Sequence, residues 1–212
     1  MSLALAPWHV DHVAHLAGSI YAAAPGRRVD AARALVDAGI AVHVDVMVPN
    51  EGPPRGIDVA ELDDIAAQVP PDMLGIHLIG SASGVRRLLP SIPECADLYL
   101  PIGIRDRRVA TRLWAAVWDE FDDSAPAEAD LDGYDGVLVM LLEPGTSGAA
   151  DLSRLALVET FSRRTAVTVD GGVTPESIDR CRSAGATTLV VGRAILANYS
   201  PLSNYSLLEG QS

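Results

Sequence analysis

Residues 166 to 196, AVTVDGGVTPESIDRCRSAGATTLVVGRAIL, constrain the fold more than any other stretch of this chain. They open on Val167-Thr168-Val169, an apolar, β-branched run that reads as a buried strand. The run ends on Asp170, followed by Gly171-Gly172. Thr174-Pro175-Glu176 is a helix start, with Thr174 as N-cap and Pro175 at the first helical position. Ile178 and Cys181 sit three apart on that helix, and Gly185 can close it with a positive φ. A second buried strand, Thr187 to Val191, ends on Gly192, and Arg193 opens another short helix. Strand, helix and parallel strand in about thirty residues make a βαβ unit. Both strands finish on glycine and feed a helix N-terminus. Backbone N–H groups and helix dipoles then converge at one edge, which suits a phosphate. An acid at such a strand end, Asp170, reads as chemistry in a barrel.

The same alternation runs through the rest of the chain. Strands are expected at 13–20, 40–48, 73–79, 96–102 and 136–142, with helices at 29–38, 57–69, 83–89, 105–117 and 151–161. The acidic segment WDEFDDSAPAEADL carries little apolar pattern. It is read as a short fifth strand near 118–121 and a stunted fifth helix. With the opening unit, the chain holds eight strand–helix units of about twenty-five residues, the repeat of a (β/α)8 barrel. The expected fold class is therefore α/β, a TIM barrel forming one domain over residues 1–212, with a compressed fifth β/α unit. The polar tail at 199–212 should fray. No linker marks a second domain.

Charge and composition narrow the function. A net charge of −12 argues against a nucleic-acid or membrane surface. An anionic ligand would need a local positive site: backbone amides, a metal or an arginine. All 16 basic residues are arginines, so a lysine Schiff base or lysine general acid is excluded. Cys95 and Cys181 form no spacing pattern, and a reducing cytoplasm is expected. No window reaches transmembrane length.

Polar residues stand at strand ends where apolar ones would be expected. In IAVHVDVMV, His43, Asp45 and Met47 alternate with Val42, Val44 and Val46. The valines belong against the helices, so His43, Asp45 and Met47 should point into the barrel. His77 lies on the third strand, and Asp170 ends the seventh. Two imidazoles and two carboxylates in one barrel mouth make a metal site suited to one divalent transition metal: zinc, iron, manganese or cobalt. His9, His12 and His15 show no consistent face and are left as surface or packing residues.

On these residues the chain resembles the ribulose-phosphate 3-epimerases, over about residues 16–196. The matching segments are GSIYAA, AVHVDVMVPN, LGIHLI, GVLVMLLEPGTSG and VDGGVTPESIDRCRSAGATTLVVGRAI. The resemblance implies metal ligands at His43, Asp45, His77 and Asp170, with Asp45 and Asp170 as the paired acid and base. It implies substrate contacts from Ser19 and His77. It implies phosphate contacts from Gly145, Thr146, Ser147 and Gly148, from Gly171 and Gly172, and from Gly192 and Arg193. Met47 and Met140 match positions that cap the reacting carbons. The implied activity is metal-dependent epimerisation of a ketopentose phosphate, of the D-ribulose 5-phosphate to D-xylulose 5-phosphate type, through an enediolate. The phosphorylated sugar is the expected partner, and the expected assembly is a homo-oligomer.

The chain departs from that family in several places. Met47 runs directly into Val48-Pro49-Asn50, without the usual Asp-Gly-x-Phe segment. The third strand lacks the family's acid and methionine. The phosphate loop reads G-T-S-G for G-F-G-G, and Arg193 replaces a serine. The metal and acid–base set is kept while the substrate's surroundings differ. Two alternatives stay open: a related barrel acting on another phosphosugar, and a non-catalytic barrel that binds a phosphorylated metabolite.

Overall fold

The computed structural model describes residues 4–48, 56–118, 131–144, 146 and 148–197. Among them, eight strands close into a barrel in sequential order. In chain order the elements are β1 (Leu16–Ser19), α1 (Arg28–Asp37), β2 (Ala41–Met47), α2 (Val59–Ala66), β3 (Leu74–Ile79), α3 (Ala82–Leu88), β4 (Cys95–Pro101) and β5 (Ala110–Val117). They continue with β6 (Gly136–Met140), α4 (Leu155–Ser162), β7 (Ala166–Asp170), α5 (Pro175–Ser183) and β8 (Thr188–Val191). Every neighbouring pair is parallel, including β8 with β1. No described helix is long and apolar enough to cross a membrane.

The alternation expected for β2 is what divides inside from outside. Val42, Val44 and Val46 face the helices and are fully buried, in one cluster with Leu35 of α1 and Ile65 of α2. Burying each such side chain contributes about 1.5–3 kcal/mol. α5 starts as its sequence dictates. Thr174 and Ser177 form a reciprocal capping box, Pro175 occupies the first turn, and Ile178 and Cys181 are buried. The helix is followed by Gly185 at φ 104°.

One expectation fails. Residues 105–117 do not form a helix: 110–117 are β5, joined to β4 by a loop. The fifth strand therefore precedes Trp118, and no helix separates β4 from β5. Residues 119–130, where a stunted fifth helix was expected, lie outside the described residues, as does the tail from 198. Arg105, Ala110, Leu113 and Ala115 favour helix locally. A closed sheet needs a strand between β4 and β6, however, and its ladder engages the backbone on both sides. Leu113, Ala115 and Val117 then pack outward and Trp114 inward. The bare connection is held by the Arg105 Nε, which donates to the Asp132 carbonyl, and by the Tyr134 hydroxyl, which donates to that of Ile104.

The first strand is also shorter than expected, because 13–15 form a 3-10 turn. The N-terminal lead-in is tied to the far end of the chain. The Ala6 amide donates to the Ile195 carbonyl, and the Trp8 indole N–H donates to that of Ala194.

Candidate metal centre and active site

Strand register assembles the site. His43 and Asp45 are two residues apart on β2, so both point into the barrel. His43 pairs with Ser19 of β1, Asp45 with His77 of β3, and Asp170, the last residue of β7, with Met140 of β6. One nitrogen or oxygen from each of His43, Asp45, His77 and Asp170 lies within 4.8 Å of the others, and all four residues are buried. His43 Nε2 is 3.3 Å from Asp45 Oδ1 and 3.6 Å from Asp170 Oδ2. His77 Nδ1 is 3.2 Å from the same Asp45 oxygen. The Ser19 hydroxyl donates to Asp45 Oδ2 at 2.9 Å. Asp45 thus has Ser19 on one oxygen and two imidazoles beside the other.

These residues fit a metal. Neither ring nitrogen of His43 has a hydrogen-bond partner, although the side chain is buried. A polar group orphaned in this way costs about 1–3 kcal/mol unless something engages it. Ligand atoms at about 2.1 Å around a tetrahedral ion stand about 3.4 Å apart. The 3.2, 3.3 and 3.6 Å separations here are close to that. Two nitrogens and two carboxylate oxygens suit zinc, iron, manganese or cobalt.

Burial acts on all four groups, and their mutual charges decide the outcome. Burial opposes a charge on His43, but the carboxylates, Asp45 foremost, outweigh it and raise its pKa. Burial also works against the Asp45 carboxylate, yet His43 and His77 hold it well below the usual range. Asp170 is pushed up to about 7 by burial and by the charge of Asp45. His77 is lowered, by burial and then by His43, against the pull of Asp45. Asp45 is therefore an anion at neutral pH, while Asp170 titrates there and exchanges a proton readily.

Both carboxylates open onto a cavity of about 1510 Å³ whose wall also carries Ser19, Met47 and Met140. The wall carries neither imidazole. Thr146, Gly148, Gly171, Gly172, Gly192 and Arg193 line the same cavity. Gly145 and Ser147 lie outside the described residues. Gly171 and Gly172 follow β7 at φ 106° and 68°. A Cβ on Gly172 would stand 2.5 Å from the Ala150 amide nitrogen, so the turn after β7 nests against the loop after β6.

Arg193 behaves differently from expectation. It opens a turn, closed by the Leu196 amide on the Gly192 carbonyl at 3.0 Å. Its Nη2 donates to the Gly148 carbonyl, clasping the turn after β8 to the loop after β6. Two further wall residues, Arg28 and Glu61, escaped the sequence reading. Each is a charged residue in the first turn of a helix, and nothing in its spacing separates it from a solvated charge.

Comparison with known proteins agrees with this architecture. An N-acetylmannosamine-6-phosphate 2-epimerase from Clostridium perfringens superposes with a TM-score of 0.55 at 18% identity, covering 93% of each chain. A phosphoribosyl anthranilate isomerase from Thermus thermophilus gives 0.54 at 16% identity, covering 85% of this chain and 88% of that one. At such identities the likeness is one of fold. Residues 124–196 match the model of the ribulose-phosphate 3 epimerase family. That segment carries β6, β7, Asp170 and the glycine turns.

Proposed function

We propose that this chain is a metal-dependent epimerase of a ketopentose phosphate, interconverting compounds of the D-ribulose 5-phosphate and D-xylulose 5-phosphate type. The family match and the phosphosugar enzymes among the barrels it resembles support an isomerase acting on a phosphorylated sugar. The observation that carries the finer reading is the pairing of Asp45 and Asp170. Both face one cavity, both approach His43, and their environments push them toward opposite protonation states.

Epimerisation beside a ketone removes a weakly acidic C–H proton and returns one to the opposite face. One carboxylate must be ionised and another protonated at the same moment. Asp45, anionic and oriented by the Ser19 hydroxyl, serves as base in one direction. Asp170 delivers the proton from the other strand, and the roles exchange in the reverse direction. A divalent metal held by His43, Asp45, His77 and Asp170 would polarise the ketone and stabilise the charge that develops there. Met47 and Met140 wall the reacting carbons with apolar, polarisable surface and introduce no competing acid. The turns at Gly171-Gly172 and Gly192-Arg193, with Thr146 and Gly148, take the phosphate.

Deuterium exchange tests the reading. Protein loaded with zinc, iron, manganese or cobalt should move solvent deuterium onto C3 of D-ribulose 5-phosphate and form D-xylulose 5-phosphate. If none of the four metals yields exchange or product, the proposal is overturned.

A further inference from the structure

The cavity wall holds one feature that neither the metal cluster nor the phosphate turns use. Arg28, the first residue of α1, is 5% exposed and lines the cavity. Its Nη1 donates to Glu61 Oε2 at 2.6 Å. Glu61, in the first turn of α2, lines the cavity too. The guanidinium carbon lies 5.9 Å from the ring centre of Tyr21, another wall residue. Arg28 Nε is buried without a hydrogen-bond partner. The pair follows β1 and β2, whereas the phosphate turns follow β6, β7 and β8.

A lone arginine here would form a second anion site. Glu61 changes that: at 2.6 Å its carboxylate matches the charge and leaves a neutral donor–acceptor pair. Such a pair matches hydroxyl groups, each of which donates and accepts. It also disfavours a second phosphate or a carboxylate, which would have to lie beside Glu61. Deepening the phosphosugar reading, on which it rests, we infer that Arg28 and Glu61 are specificity-determining residues. They select a sugar monophosphate whose end remote from the phosphate carries free hydroxyls, and they exclude ligands anionic at both ends.

Ribitol 5-phosphate and ribitol 1,5-bisphosphate lack the ketone and are not turned over, so equilibrium binding to the metal-loaded protein can be measured directly. The parent should prefer the monophosphate. Glu61→Gln keeps the shape of the side chain and leaves the Arg28 charge unmatched. The preference should then move toward the bisphosphate by about ten-fold, the size of a charge-assisted bond. Pairing Glu61→Gln with Arg28→Met should abolish that gain, because the cation that causes it is gone.

A preference within two-fold of the parent in Glu61→Gln overturns the inference, whatever happens to thermal stability, since a purely structural tie between α1 and α2 moves stability alone. A bisphosphate gain that survives in the double variant overturns it as well. If the parent binds ribitol 5-phosphate no better than inorganic phosphate, the phosphosugar reading itself falls, and this inference with it.

Discussion

The inside of the barrel has two unlike halves. On β1, β2, β3 and β7 the inward positions are Ser19, His43, Asp45, His77 and Asp170, joined by polar contacts. On β4, β5 and β6 the apolar residues Tyr99, Trp114, Leu138 and Met140 form a separate cluster. A single row of register runs from one into the other: Asp45 pairs with His77, His77 with Tyr99, Tyr99 with Trp114 and Trp114 with Gly136. The Tyr99 and Trp114 rings stack 5.6 Å apart, and Tyr99 reaches His43 at 5.0 Å between centroids. Gly136 is glycine because its Cβ would fall 2.2 Å from the Trp114 ring. The aromatic half also spans the connection without a helix. There Asp97 accepts a bidentate pair from Arg112 at 2.7 and 2.8 Å and the indole N–H of Trp114 at 2.6 Å. The contrast teaches that aromatic packing and buried polar groups are divided around the circumference. One half fills volume, which leaves the other free to bury polar groups that cost stability.

The sharpest way to break this division is to exchange a carboxylate. Asp45→Asn should reduce deuterium exchange by about 10²–10⁴-fold and weaken metal binding, while the far-UV circular dichroism stays that of the parent. Retained exchange would remove Asp45 from the chemistry.

On the other side, Trp114→Ala should cost about 3–5 kcal/mol of stability in denaturant unfolding. Exchange per folded molecule should hold close to the parent value. A drop much larger than the loss of folded protein would show that Trp114 takes part in the reaction.

Metal affinity sharpens the comparison in a third way. Burial, with Asp45, pushes Asp170 up to about 7, and the carboxylates raise His43 against its burial. Protons on both groups therefore compete with a metal increasingly as pH falls. Asp45, lowered instead, adds nothing in this range. The apparent Kd for zinc should rise as pH falls through about 7, by roughly ten-fold per pH unit for each proton released. Calorimetry in buffers of different ionisation enthalpy counts those protons. A Kd that is flat between pH 8 and 6 would contradict the arrangement.

The smallest effect belongs to the rim. Arg193→Ser should raise KM for a phosphorylated substrate by about ten-fold, the loss of a charge-assisted bond of about 1.5–3 kcal/mol, with kcat nearly unchanged. A KM within two-fold of the parent would leave the phosphate to the glycine turns and Arg193 to its clasp on Gly148.

Much of this was open to reading in the chain alone, for reasons local to each segment. A strand buried on its outer face by valines must turn His43 and Asp45 inward, so the period-2 pattern of β2 already carried half the cluster. Thr174, Pro175 and Gly185 delimit α5 by capping chemistry that needs no partner. The fourth unit was misread because its alanines, arginines and leucine fit a helix as well as they fit a strand. Only the ladders offered by β4 and β6 separate the two. The turn at Arg193 looked like a helix start for the same reason.

What the sequence by itself determined is the set of groups and the faces they occupy: two imidazoles and two carboxylates inward on strands, glycines after them, arginines as the only fixed cations. What the tertiary structure decided is every relation between groups far apart in the chain. Register placed Asp45 beside His77 and left Asp170 3.6 Å from His43. The imidazoles then lowered Asp45 against its burial, while burial and the Asp45 charge raised Asp170. Closure of the barrel brought Glu61 to Arg28 and Arg193 to Gly148. The physical reason is one of range. Periodicity and capping act within a few residues, while desolvation and Coulomb terms depend on distances that exist only once the sheet has closed.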